Sequence, residues 1–282
     1  MKQLRGFTVV VGLTLACAVQ ADPVTFEAAG ANAAAITASR DAFRAAIGGG
    51  TVAGANGSFG GVRREVNWDG VPDAQADPNP FSANFFNVNS PRGVVFSTPG
   101  TGFLVSANAG QSAPVLFGFP NDFQVFSAQR LFTAVNSSIT DVRFFVPGTA
   151  TATTTSAFGL VFVDVEVAGS TRLQFFDVND ALIYSHDALV GGNQGLTFLG
   201  ATVDSAAIAR VRITSGSNTI VSNGVLGSQI DDIVVMDDFL YAEPLQAVPE
   251  PSTTALMGLG VLAAFAAQRR RRAAAARGDR RR

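Results

Sequence analysis

Residues 22–247 predict an all-β fold: an antiparallel two-sheet sandwich of jelly-roll type with one short N-terminal helix, flanked by a signal peptide and a C-terminal transmembrane helix. Three observations carry this. Apolar residues alternate with polar ones at period two, as in Val161, Val163, Val165 and Val167 against Asp164 and Glu166, or Ala209, Val211 and Ile213 against Arg210 and Arg212. Ten strand candidates follow at short intervals, with Gly, Asn, Asp and Ser clustered between them. Helical spacing occurs once. Many short strands and almost no helix leave a sheet-on-sheet fold as the way to bury one face of each strand.

In chain order, Val24, Thr25, Phe26 and Glu27 open with a brief strand signal. Ile36, Arg40, Phe43 and Ile47 then recur at helical spacing, so 36–47 should be an amphipathic helix, with Gly48, Gly49 and Gly50 placed to end it. Gly54, Gly57, Gly60 and Gly61 make a loop before Arg64, Glu65 and Val66. The strand candidates are 93–97, 103–106, 131–135, 142–146, 160–167, 173–177, 182–186, 196–201, 208–214 and 230–241. The Ala/Thr/Ser run 149–156 reads as a loop between strands. Asp177 to Asp180 resembles the start of a calcium loop, but Leu182 stands where that loop needs glycine, so a hairpin turn is expected. No linker or repeat divides 22–247, and one domain is expected.

The two ends have their own signatures. Residues 1–21 hold Lys2 and Arg5, an apolar stretch from Phe7 to Val19, and small residues before Asp22, which together read as a secretory signal peptide cleaved after Ala21. Cys17 invites a lipoprotein reading, yet Thr14 stands where that signal wants leucine. Of the 22 acidic residues, only Glu250 and Asp279 lie outside 22–247, which leaves 20 against ten arginines, with no lysine and no cysteine. So acidic a domain repels nucleic acid, and it carries no disulfide framework.

At the other end, Pro249, Glu250 and Pro251 precede an uncharged stretch, 252–267, followed by Arg269, Arg270, Arg271 and Arg272. Prolines break structure just outside an apolar helix, and a block of arginines cannot follow it through a bilayer. Sixteen residues at ~1.5 Å each give about 24 Å, short of the ~30 Å hydrocarbon core, so a transient membrane stay is as plausible as a lasting one. These residues resemble the PEP-CTERM sorting domain over 248–272, followed by a basic cytoplasmic tail at 273–282. The resemblance implies export across the inner membrane of a Gram-negative bacterium that makes extracellular polysaccharide, and handling by an exosortase. It makes Pro249, Glu250 and Pro251 the recognition triplet and Arg269 to Arg272 the cytoplasmic stop.

Asp237 and Asp238, within the strand candidate 230–241, resemble the closing strand of several carbohydrate-binding modules of jelly-roll type. In those families an acidic pair there meets a first-strand carboxylate at a structural calcium, which here implies Glu27 with Asp237 or Asp238. The alternative is that both aspartates solubilise an edge strand. Trp68, flanked by Asn67 and Asp69, has the make-up of an exposed sugar platform, although phenylalanine supplies 23 of the aromatics and favours core packing. His186, the single histidine, lies in Ser185-His186-Asp187, where neighbours on a strand alternate faces and cannot form a triad. Arg277-Gly278-Asp279 lies beyond the arginine stop and reads as coincidence.

The expected function is that of an exported, non-enzymatic surface or matrix protein: held transiently at the inner membrane, sorted by exosortase, and acting by adhesion or scaffolding in an exopolysaccharide or biofilm matrix. A lectin-like carbohydrate-binding module is the alternative. An enzyme acting on polysaccharide is the third reading, since no motif marks its pair of carboxylates.

Overall fold

The structure is a computed structural model that describes residues 22–107, 116–204, 207–221, 232–245, 258 and 260–270. The signal peptide, the triplet Pro249, Glu250 and Pro251, and Arg271 and Arg272 lie outside the described residues. Two compact units divide the chain, one ending at Leu245 and the other beginning at Gln246.

The first unit is a two-sheet antiparallel sandwich. In chain order its elements are β1 (Val24–Gly30), α1 (Ala33–Ile47), β2 (Ser58–Phe59), β3 (Arg63–Val66), α2 (Phe85–Val88), β4 (Val94–Ser97), β5 (Gly102–Val105) and β6 (Phe132–Val135). There follow β7 (Ile139–Phe145), β8 (Ala152–Thr153), β9 (Ala157–Val163), β10 (Arg172–Phe176), β11 (Leu182–Asp187), β12 (Leu196–Thr202), β13 (Arg210–Thr214) and β14 (Val235–Ala242). One sheet runs β1-β12-β9-β14-β3-β2, with β6 also on β14 and β5 on β6; the other runs β11-β10-β13-β7-β4, with β8 on β7.

The facing sides of the two sheets enclose a phenylalanine-rich core that includes Phe96, Phe132, Phe144, Phe158, Phe175 and Phe239. A second apolar cluster lies on the opposite side of the first sheet, where α1 contributes Ile36, Phe43 and Ile47. This unit therefore has three layers, and the middle strands of the first sheet are buried on both sides. β9 and β14 are buried at every position. Strands covered on both faces are expected to read as continuous apolar runs, which is the pattern of Ala157 to Val163.

Two corrections to the sequence reading follow. β9 ends at Val163, because Asp164 takes a φ of 73° and turns the chain out of the sheet. Asp164 is buried rather than wet. The expected loop 149–156 contains the short strand β8, with Thr153, Thr154 and Thr155 buried.

Helix α1 needs room to lie on the sheet, and glycine provides it. Gly159 of β9 and Gly200 of β12 are direct partners, and a Cβ built on either would fall 3.1–3.2 Å from the Phe43 ring. The paired glycines form a shallow seat into which Phe43 descends, packing there against Phe198. At its C-terminus α1 is fixed by Arg44, which makes a forked contact to Glu65 of β3 at 2.8 and 2.6 Å. Arg63 reaches the same carboxylate at 3.0 Å and the carbonyl of Gly48 at 2.7 Å.

In the second unit, residues 260–270 are helical and exposed, Arg269 and Arg270 among them. Eleven residues span about 16 Å. No helix among the described residues is long and apolar enough to cross a membrane.

Candidate functional site

Asp237 and Asp238 sit at a β-bulge. Asp237 opposes Val161 of β9 and Phe239 opposes Leu160, so Asp238 is the extra residue. A bulge suspends strict alternation, and both carboxyls are buried. Val161 belongs to the cluster under α1, which puts Asp237 on the helix-covered side of the sheet.

The Asp237 carboxylate is fully engaged. It accepts from the backbone N–H of Phe126 at 2.7 Å, of Ser127 at 3.1 Å and of Asp238 at 2.8 Å, and from the Ser127 hydroxyl at 3.1 Å. These bonds pin residues 126–127 beside α1, where Arg40 lies 4.8 Å above the Phe126 ring. Burial, and then the neighbouring Asp238, push the Asp237 carboxyl above the usual carboxylate range against those donors. Burial likewise raises Asp238 to about 6, with Glu65 adding and Arg44 and Arg40 opposing. Asp238 Oδ1 is buried with no hydrogen-bond partner.

The structure does not bring Glu27 to this pair. Glu27 stands on β1, three strands away in the order β1-β12-β9-β14, or about 14 Å at ~4.8 Å per strand. It shares a row with Leu199 and Leu160, which face the inter-sheet core, so it lies on the opposite side of the sheet from Asp237. The Glu27 carboxylate instead meets His186 Nε2 at 2.9 Å, and two residues away Thr25 meets the Tyr184 hydroxyl at 3.0 Å. These contacts join the unpaired edges β1 and β11 along one flank of the sandwich. The expected calcium set is thus corrected: among the described residues, no three His, Cys, Asp or Glu side chains converge as metal ligands.

Trp68 is also corrected as a platform. Its indole is 1% exposed and stacks on Phe132 at 4.0 Å and 4°, with Phe81, Phe86, Phe96 and Phe239 around it. A ring enclosed on all sides offers no face to a sugar. Its φ of 65° turns the chain just after β3 so that the side chain points inward.

Around His186 no triad forms, since its ring pairs with Glu27 while Asp187 pairs with Arg172. Asp177 accepts the N–H groups of Asn179 and Ala181, each at 2.8 Å, and closes the β10–β11 hairpin.

Two features were missed from sequence. Asp164 is pushed up to about 7 by burial, with Glu166, Asp122 and Asp232 adding negative charge nearby, although the Gln194 N–H at 2.7 Å opposes the shift. Its φ of 73° gave no advance signal beyond the aspartate itself. The outer face of the second sheet carries a row of Ser185, Gln174, Arg212, Asp141 and Ser97 across five strands. Beside it, Arg210 lies 3.8 Å above the Phe176 ring and bonds Asp141 at 3.1 Å, while Arg143 is exposed. Alternation had marked Arg210 and Arg212 as outward, but register alone aligns them with Asp141 and Gln174.

Residues 247–272 match a PEP-CTERM protein-sorting motif. The chain thus carries the signal of an exosortase-sorted surface protein. No curated protein matches it.

Proposed function

We propose that the protein is a non-catalytic adhesion or scaffolding component of the exopolysaccharide matrix of a Gram-negative bacterium, handled by exosortase at the inner membrane. The observation that carries this reading is the sorting motif at 247–272, directly after a folded unit that ends at Leu245. The character of that unit supports it. Several of its carboxylates serve the fold: the half-buried Glu65 holds two arginines, the half-buried Asp141 holds Arg210 and Arg212, and the buried Asp237 holds a covering loop. The test is intact mass and cell fractionation in an exosortase-containing host beside the same host lacking the enzyme. Loss of the C-terminal segment and surface display only with the enzyme support the proposal; an unprocessed chain in both refutes it.

A lectin-like role is the second reading, and the outer face of the second sheet favours it. There Gln174 and the exposed Arg143 share the face of Arg212, which Asp141 holds in place, beside Phe176. A glycan array with the wild-type ectodomain and the Arg143→Ala, Gln174→Ala double variant separates the two. Binding to a defined saccharide that the variant loses makes it a lectin; no binding leaves scaffolding.

A further inference from the structure

The first unit holds its own C-terminus down to Leu245, its last residue. After β14 ends at Ala242, the Ala242 carbonyl accepts from the buried Thr155 hydroxyl at 2.8 Å. The Glu243 N–H donates to the Val62 carbonyl at 2.7 Å. Leu245 and Thr154 exchange both backbone bonds, at 3.0 and 3.2 Å. The Glu243 carboxylate is gripped by Arg64 Nε at 2.8 and 2.9 Å and by its Nη2 at 2.8 Å. Arg64 is itself fixed by the carbonyls of Asn56 and Pro91, at 3.2 and 3.1 Å. Both members of the ion pair are largely buried, with side chains 13% and 15% exposed.

Only Gln246, Ala247 and Val248 separate this clip from Pro249. Four peptide units reach about 14 Å at full extension. A transpeptidase must admit extended chain on both sides of the bond it breaks, and a folded sandwich lies within three residues upstream of the triplet. Freeing 243–245 would add about 10 Å of slack at ~3.4 Å per residue.

We propose that the Glu243–Leu245 clip, locked by Arg64, gates access of the sorting triplet to the exosortase: the clip peels from Val62 and Thr154 before processing, and its strength sets the processing rate. This rests on the exosortase reading above. The gated step breaks one backbone amide, whose acyl carbon passes to the enzyme's nucleophile and then to water or an amine, while its nitrogen leaves as a protonated amine. Terminal segments open independently of the global fold, so the gate acts without unfolding the sandwich.

The experiment is a pulse-chase of the full chain, followed by intact mass, in hosts with and without the exosortase. Three variants are compared with wild type: Glu243→Gln, a six-residue Gly/Ser insertion between Leu245 and Gln246, and the two combined. Both single changes should speed enzyme-dependent processing several-fold, and Glu243→Gln should add nothing once the insertion supplies the reach. Protease resistance of the ectodomain checks that each variant is folded. An unchanged half-time for the folded insertion variant overturns the gate while leaving exosortase sorting intact. Absence of processing of the wild-type chain in the enzyme-containing host overturns both.

Discussion

Replacing Trp68 separates packing from backbone geometry at one position. The indole is enclosed by five phenylalanine rings at 4.0–5.9 Å. An indole buries roughly 200 Å², on the order of 5 kcal/mol at ~25 cal/mol per Å². Truncations of this kind cost about 3–5 kcal/mol. Set against a domain stability of about 5–15 kcal/mol, Trp68→Ala should leave the sandwich folded but near its limit. Trp68→Gly removes the same ring, yet its cost should differ in the opposite sense from the usual one. In an ordinary strand glycine is worse than alanine by about 0.5–1 kcal/mol. At the φ of 65° found here an L side chain costs about 1–2 kcal/mol that glycine avoids, so Trp68→Gly should be as stable as Trp68→Ala or better by about 0.5 kcal/mol. Urea unfolding followed by far-UV circular dichroism measures all three proteins, since the variants lose the single tryptophan. A cost below about 1 kcal/mol for Trp68→Ala would refute the buried stack. Alanine exceeding glycine by about 1 kcal/mol would refute the strained turn.

Other perturbations follow from the same packing. Asp238 and Asp164 have folded-state values raised to about 6 and about 7, so both bind protons more tightly folded than unfolded. Their contribution is complete below the unfolded value of ~3.9 and is lost as pH rises through 6 to 7. Urea midpoints should therefore fall between pH 4 and pH 7, by on the order of 2 kcal/mol from Asp238, and Asp238→Asn should flatten the profile. Gly159→Ala places a Cβ 2.9 Å from the Gly200 Cα and 3.2 Å from Phe43, which should cost about 1–3 kcal/mol by calorimetry and loosen α1 in hydrogen exchange. Asp237→Ala strands the donors of Phe126 and Ser127, and a loss of about 2–4 kcal/mol with earlier proteolysis near 126–127 is expected. Unchanged protection of that loop would show that Asp237 does not hold it.

Period-two alternation was enough to find β7, β10, β11 and β13, because the second sheet has one dry side and one wet side. The first sheet was harder to read. Asp164 and Glu166 looked like the wet face of a strand, whereas the uniformly apolar Ala157 to Val163 is the strand itself, covered by α1 on one side and by the other sheet on the second. The acidic pair was located correctly, but its partner was not. Glu27 and Asp237 lie on first and last strands, and only the interposed β12 and β9 show that they face opposite ways. Arg63 and Glu65 share one face of β3 at i and i+2, but Arg44 reaches Glu65 only through the packing of α1 on the sheet, for which no local spacing is a signal. The C-terminal motif was legible because it is a local order of residues along the chain, matched over 247–272.

β14 lies at the centre of the first sheet, between β9 and β3, with β6 also on it. It supplies Met236, Phe239 and Tyr241 to one core and Val235 and Leu240 to the other. It is also the last strand of the unit in chain order. Until it arrives, β9 has a bare edge and both cores stand open. A chain truncated before Val235 would therefore lack the strand that closes both cores, however complete the other thirteen. The position of one strand thus makes completeness of the chain a condition of stability.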